Sequence, residues 1–415
     1  MEENNQYTTS KVEAKDFTSG WMIALIIAGT GVSLPVLFLG SEIALSIGFH
    51  DAMIAFAIST AVLTILCIAT TLIGNRSRLS TYMIMRFSFG LQGAKLLNGI
   101  IGISLLGWFS VSLELIALAI QDTLIELVGI SIPLWGIVII TSMFITITTI
   151  YGIKSLERLA NIAVPFLFIF LLYILYLTLS QAGAMEQIMA YTPKQREMSL
   201  FGATSTLIGA SILLPVLMAD FSRFIYNDRQ SLIAVLGLAI GTPLVYFISS
   251  LTSIQTGEID IIQIMKSFDL VLPAFILLFV STWVNNATNL YSTVLTFSTI
   301  DTSLSFRNMC IVTSIAGTIL ALLGFSTYLF EFLNILGVFA PSICSIYILD
   351  FFWLKKQDYD LSKIQDWGKT ALISWSAASA IAFLTYYEIF QLTHAHFIDS
   401  FIIGGLVYFL LNRSE

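Results

Sequence analysis

The sequence predicts an all-α protein that crosses a membrane many times. Hydrophobic residues make up 57% of its 415 positions, charged residues only 11%, and the mean hydropathy is +0.89. Soluble domains carry about 25% charged residues, so this chain has too few to cover a water-facing surface of its size. Most of its surface is therefore expected to face lipid.

Apolar stretches along the chain supply the candidate membrane spans. A spanning helix needs about 20 mostly apolar residues. The twelve predicted spans are 19–40, 51–74, 96–121, 133–151, 159–181, 200–221, 231–252, 270–296, 309–325, 328–351, 370–388 and 397–412. The count depends on the short gap Phe325–Tyr328 being a turn. Two connecting segments predict short helices: an amphipathic one within Asn75–Lys95 and an outer one within Glu258–Ser267.

The positive charges test this map. If both termini are cytoplasmic, the inner segments hold 16 Lys and Arg residues, and the outer segments hold only Lys194, Arg196 and Lys266. Such a bias towards the inside is typical of membrane proteins, and a wrong helix count would destroy it. The sequence thus predicts an integral protein of the cell membrane with both termini in the cytoplasm.

Two spans share a sequence feature that also divides the chain. Span one contains GTGVSLP from Gly29 to Pro35, and span six contains GASILLP from Gly209 to Pro215. Five spans separate the two copies, so they cross the membrane in opposite directions. Because Gly and Pro interrupt helices, and freed backbone is tolerated in a membrane only beside a cavity, this pair predicts two broken helices at a central transport site.

Four segments follow from this reading. They are a cytoplasmic tail (1–17), a first repeat of five spans (18–181), a second repeat of five spans (182–351) and two final spans with a short cytoplasmic C-terminus (352–415).

Other classes of function leave no signature in the sequence. No basic cluster indicates nucleic acid, and neither the three cysteines nor the three histidines have metal-ligand spacing. A phosphate-binding G-x-x-x-x-G-K-[ST] loop is absent. We therefore predict no enzyme activity, no cofactor and no obligatory protein partner. A channel and a membrane sensor stay open as alternatives. A channel would show no counterflow, and a sensor would bind its ligand without transporting it.

Five motifs carry a family resemblance over essentially the whole chain. They are RLSTYMIMRFSFG (Arg78–Gly90), LLGWFSV (Leu105–Val111), ADFSRF (Ala219–Phe224), STWVNNATNLYS (Ser281–Ser292) and LGVFAPSICSIYILDFF (Leu336–Phe352). The chain resembles the cytosine permease branch of the nucleobase–cation symporter family, with some likeness to the hydroxymethylpyrimidine branch. The resemblance implies an amino-acid-transporter-like (LeuT-type) fold, a five-plus-five inverted repeat with two extra C-terminal helices. It also implies import of a heterocyclic base coupled to Na⁺ or H⁺.

The resemblance also implies where a flat substrate would bind. Trp108 matches a tryptophan that stacks on the substrate ring, which suits a planar heteroaromatic group. Ser104 and Ser112, four residues to either side, lie on the same helix face and are candidates for the ring edge. The family has a glutamine where Leu105 and Leu106 stand and an aromatic residue near Ser211. These departures favour a ring other than cytosine.

Three asparagines in the eighth span are a further candidate. Asn285, Asn286 and Asn289 lie inside the predicted membrane, where an amide is costly without a partner. An amide both donates and accepts, which suits a pyrimidine edge, although bonding between helices is the alternative. Asn286 is the preferred ligand. Backbone around the two predicted breaks completes the expected site, at Gly29, Ser33, Gly209 and Ser211.

A sodium site is implied by the resemblance alone. Its carried-over ligands are the carbonyls of Gly29, Val32 and Ser281 and the side chains at 284 and 285. The family has hydroxyls at the last two positions, but here they are Val284 and Asn285. Because valine cannot bind an ion, both Na⁺ and H⁺ stay open as the coupling cation.

Three charged residues are candidates for coupling or gating. Glu114 lies mid-span, where a charge is functional or paired by default, but it points about 120° away from Trp108 around the helix. Asp220 and Arg223, at the inner end of span six, are predicted to form a structural or gating ion pair.

Overall fold

The computed structural model describes residues 11–300 and 303–413, with side chains left out at 152–163 and at 361. Its regular elements are almost all α-helices, which confirms the predicted class. They are α1 (Gly20–Gly31), α2 (Leu34–Ile47), α3 (Phe49–Ser77), α4 (Thr81–Val128), α5 (Leu134–Ser180), α6 (Ala184–Ala190), α7 (Leu200–Ser211), α8 (Leu213–Ser222), α9 (Asp228–Leu236), α10 (Thr242–Thr256), α11 (Ile261–Lys266), α12 (Val271–Ser298), α13 (Phe306–Leu322), α14 (Leu329–Leu349), α15 (Lys369–Tyr386) and α16 (His396–Arg413).

Length and composition identify the helices that could cross a membrane. Within the described ranges, seven helices are long and apolar enough, and the number rises to nine if each of two bent pairs forms one span. α13 is apolar but has 17 residues, while α15 and α16 coincide with the eleventh and twelfth predicted spans. The all-α membrane architecture is confirmed, and the count of twelve spans stays a prediction.

The turn expected between spans four and five is not formed, because residues 152–158 lie inside the continuous helix α5. The described stretches of α5 that could cross a membrane are nevertheless two, Leu134–Tyr151 and, together with α6, Val164–Ser180. The intervening letters IKSLERLAN contain no proline and no turn-forming pair before Pro165, so nothing local ends the helix. Lys154 and Arg158 are two of the 16 residues counted in the predicted inner segments, and their side chains lie outside the described part.

The first predicted helix break is present. α1 ends at Gly31, α2 begins at Leu34, and their axes differ by 59°. Between them, Val32 (φ −100°, ψ 83°) and Ser33 (φ −144°, ψ 160°) are non-helical. Pro35 stands in the first turn of α2, where its missing N–H costs nothing. The GTGVSLP motif thus marks a true interruption of the first span.

The predicted unwinding of the sixth span is wrong. Only Ile212 separates α7 from α8, its dihedrals are helical (φ −63°, ψ −28°), and the whole of Leu200–Ser222 forms one candidate span. Pro215 removes only one helical hydrogen bond, the one that an N–H at position 215 would donate to the Ser211 carbonyl. Gly209 serves close packing instead, because a Cβ there would lie 1.9 Å from the Leu333 carbonyl oxygen on α14.

Both short helices expected between spans are found. α11 lies within the predicted outer segment, and Lys266 at its end forms an ion pair of 2.7 Å with Glu126 on α4. At the other end of α4, a kink at Gly90 (φ 74°) separates the predicted amphipathic segment from the span proper. Phe325–Tyr328 is a single 3-10 turn between α13 and α14, as expected.

Candidate functional site

The break in the first span is held by two neighbouring residues of α12. The Ser281 hydroxyl donates a hydrogen bond to the Val32 carbonyl, and Thr282 Oγ1 accepts one of 3.2 Å from the Leu34 N–H. All four residues are buried. Sequence reasoning had assigned Ser281 through its carbonyl and missed Thr282. Its position next to Ser281 was the only available signal.

Asn286, one turn further along α12, is the most unusual polar residue of this region. Its side chain is 0% exposed, and neither amide atom has a hydrogen-bond partner among the residues that the structure describes. A buried polar group without a partner costs about 1–3 kcal/mol, so such groups need an explanation. A ligand that pairs with the amide supplies one.

The other two asparagines of α12 are placed differently. Asn285 and Asn289 are each partly exposed and, being four residues apart, share a face of the helix. The three amides therefore do not converge on one point. The structure separates Asn286 from the other two as the inward-facing member.

Trp108 faces inward from α4, as predicted. Its side chain is 9% exposed and meets the Phe332 ring of α14 edge to face, with centroids 5.9 Å apart. Phe332 also contacts Phe325 of the 3-10 turn, at 5.5 Å. Sequence reasoning missed Phe332, for which the aromatic-rich segment FSTYLFEF was the available signal. Trp108 thus stands in an aromatic group formed by two helices.

Ser104 and Ser112 behave unequally. The Ser104 hydroxyl donates to the Ile100 carbonyl of its own helix at 2.8 Å, whereas the Ser112 hydroxyl is fully buried and has no partner in the described part.

The packing of α4 on α12 relates Ser112 to Asn286. Asn98 donates to Thr299 at 2.7 Å, and Gly102 packs on the Phe297 ring. Since the α12 residue numbers fall as those of α4 rise, the helices run antiparallel. Equal rise per residue in both then brings Ser112 level with Asn286.

The residues expected around the two breaks do not all converge. Ser33 is buried in the first break, but a Cβ on Gly29 would meet the Val164 side chain of α5 at 2.8 Å. Gly209 faces α14, and Ser211 lies beside Tyr246 of α10. Both glycines therefore serve helix packing, so the expectation that both would line the site is not supported.

The residues implied as cation ligands differ in what they offer. Val284 has only an apolar side chain, and the Val32 carbonyl accepts a hydrogen bond from the Ser281 hydroxyl. The Gly29 carbonyl accepts from the Val32 N–H at 3.2 Å. Asn285 is the one side chain left that could bind an ion. No group of three or more His, Cys, Asp or Glu side chains suited to a metal occurs in the described ranges.

Glu114 has a specific partner. It is 7% exposed, and its Oε2 accepts a hydrogen bond of 2.9 Å from the backbone N–H of Ser326, in the 3-10 turn before α14. The carboxylate thus joins α4 to the turn that leads into the helix carrying Phe332. This geometry indicates an anchor for that turn.

Substitutions at Glu114 distinguish a structural role, in which it anchors the turn, from a role as a proton carrier. Glutamine keeps an oxygen that can accept from Ser326 but cannot exchange a proton, so E114Q is expected to keep uptake within about threefold of the parent. Alanine removes the acceptor, and a buried N–H without a partner costs about 1–3 kcal/mol. E114A should therefore lower the midpoint of thermal unfolding. Loss of uptake in E114Q with unchanged stability would instead assign the coupling proton to Glu114.

Asp220 and Arg223 lie at the end of α8, in contact with the start of α4. Asp220 Oδ1 accepts from the Thr81 N–H at 3.0 Å and so caps α4. Arg223 Nε donates a hydrogen bond of 3.2 Å to the Asp220 backbone carbonyl, and the guanidinium lies 5.0 Å from the Phe224 ring centre. The ion pair stays a prediction, and the capping of α4 is an additional role of Asp220.

Comparison with known proteins identifies the class and then the family. The fold is that of helical secondary transporters. The structure of Mhp1, a nucleobase-cation-symport-1 family transporter, closed with bromovinylhydantoin bound, superposes with a TM-score of 0.83 at 20% identity, covering 98% of this chain and 94% of that one. A Na⁺-coupled sialic acid symporter gives a TM-score of 0.68 at 13% identity, over 98% and 91%.

Sequence comparison agrees with the fold. The family model for permeases of cytosine/purines, uracil, thiamine and allantoin matches residues 12–386, and the chain belongs to this family. It is 25% identical to the cytosine permease of Escherichia coli K12 over 385 residues, 92% of this chain and 88% of that protein. It is 23% identical to the hydantoin permease of Microbacterium maritypicum over 398 residues, covering 88% and 81%. The resemblance inferred from the motifs is confirmed.

Proposed function

We propose that the chain imports a nucleobase-like heterocycle across the cell membrane by cation-coupled alternating access, with both termini in the cytoplasm. Family membership supports the transport class. The observation that carries the site is the buried amide of Asn286 without a partner. A heterocycle with adjacent donor and acceptor atoms would satisfy both amide atoms at once.

The substrate would lie between the walls formed by α4 and α12. Its ring would stack on Trp108, which gains dispersion and electrostatic attraction from a flat heteroaromatic face. Its edge would meet Asn286 and the free hydroxyl of Ser112. Ser33 at the first break lies next to the α12 wall through Val32 and Leu34, and would close the site on that side.

Alternating access requires that two groups of helices move against each other. We assign spans 1, 2, 6 and 7 to one group and spans 3, 4, 8 and 9 to the other, within the repeats 18–181 and 182–351. Ser281 and Thr282 bond across the boundary between these groups. A substrate and a cation that favour the same arrangement are coupled by that preference alone.

The identity of the ring is the second part of the proposal. Leu105 is buried and Leu106 partly buried where the family has a glutamine, so this stretch offers no side-chain hydrogen bond to a cytosine edge. This departure favours a ring other than cytosine, and hydroxymethylpyrimidine is the alternative within the same family.

Uptake into liposomes tests the proposal. Purified protein would be reconstituted and supplied with labelled cytosine, uracil, hydantoin and hydroxymethylpyrimidine, one at a time. We expect saturable uptake of at least one, accelerated by the same unlabelled compound on the far side. Binding without flux would indicate a sensor, and flux without counterflow would indicate a channel. Either result would overturn the carrier proposal.

A further inference from the structure

The broken first span leaves main-chain groups that need partners. A helix end exposes N–H and C=O groups that its own turns cannot satisfy, and a buried group of this kind is almost always paired. At the break, the carbonyl of Val32 and the N–H of Leu34 are both buried. Where these two groups find partners decides what holds the broken helix in place.

Both partners come from adjacent residues of one neighbouring helix. Ser281 supplies the donor for the carbonyl, and Thr282 supplies the acceptor for the N–H, at 3.2 Å. The third exposed group, the Gly29 carbonyl, is taken by the Val32 N–H at 3.2 Å. The protein itself therefore satisfies these three main-chain groups of the break.

We propose that Ser281 and Thr282 are positioning residues that fix the first-span break to α12 directly. This inference rests on the proposed function and deepens it.

Uptake of the substrate identified above, measured in liposomes, is the readout for this inference. Absence of uptake by the parent protein would overturn the proposed function, and with it this inference.

Paired variants test the positioning role. S281A and T282V remove one bond each, whereas S281T and T282S keep the hydroxyl. We expect the first two to lower the maximal uptake rate at least tenfold with the KM changed less than threefold, and the conservative pair to stay near the parent. S110A is the control, because that hydroxyl bonds only to Leu106 of its own helix, at 2.8 Å.

Two results would contradict the positioning role. One is an unchanged maximal rate in both S281A and T282V. The other is an equal loss in T282V and T282S, which would show that the hydroxyl is not what matters. Binding sites per milligram of protein, measured for each variant, separate a slower carrier from a smaller amount of folded protein.

Discussion

Replacing Asn286 with leucine is expected to stabilise the protein and to abolish uptake. The amide is fully buried without a partner, and the cost of such a group is about 1–3 kcal/mol. Leucine repeats the branched heavy-atom shape of asparagine without its polar atoms, so N286L removes that cost, and its larger volume leaves no cavity. The same change removes the amide donor and acceptor with which the substrate would form hydrogen bonds, so uptake is lost. Thermal unfolding in detergent and substrate uptake in liposomes measure the two effects.

Asn98 supplies the matched control on the facing helix. It is also buried, but its amide donates to Thr299 Oγ1 at 2.7 Å. N98L should therefore lower the unfolding midpoint, because the change strands a bonded partner. Opposite signs for the two variants would separate an amide kept for a ligand from one kept for packing. If N286L destabilises like N98L, or still takes up substrate at the parental rate, Asn286 is not the ligand.

The parts of the fold that depend on local chemistry could be predicted from the sequence. Apolar length places most of the spans, and the GTGVSLP motif places the first break within a residue or two, since glycine and proline act on their own backbone. The same reasoning failed at Gly209 and Pro215. There the neighbouring helix α14 packs closely against the glycine, and the segment is helical. A single sequence does not show whether a glycine interrupts its helix or allows a neighbouring helix to pack closely against it.

The candidate site shows a similar division. The burial of Trp108 and Asn286 follows from their depth in apolar stretches, and both were predicted. The partners of the first-span break could not be, because Leu34 and Thr282 lie 248 residues apart in the chain. Phe332 likewise reaches Trp108 only through the packing of α14. Hydroxyl and aromatic residues are common in membrane helices, so their tertiary roles appear only once the helices are assembled.

Replacing Trp108 with alanine is expected to raise the KM for uptake by about 30- to 150-fold. Loss of ring stacking and of buried apolar contact with the substrate amounts to about 2–3 kcal/mol. W108F retains an aromatic face and should stay within about tenfold of the parent. Because Trp108 touches the Phe332 ring, the alanine variant also needs a folding check, for which thermal unfolding serves.

Trp135 is the control for tryptophan removal as such. It lies near the start of α5 and is 63% exposed, against 9% for Trp108. W135A should leave the KM unchanged, since the Trp135 side chain lies on the outer surface of the protein and not at the proposed substrate site between α4 and α12. A W108A variant that folds and keeps the parental KM would remove stacking from the mechanism. The aromatic group of Trp108, Phe332 and Phe325 would then be structural, and recognition would fall to the polar atoms of Asn286 and Ser112.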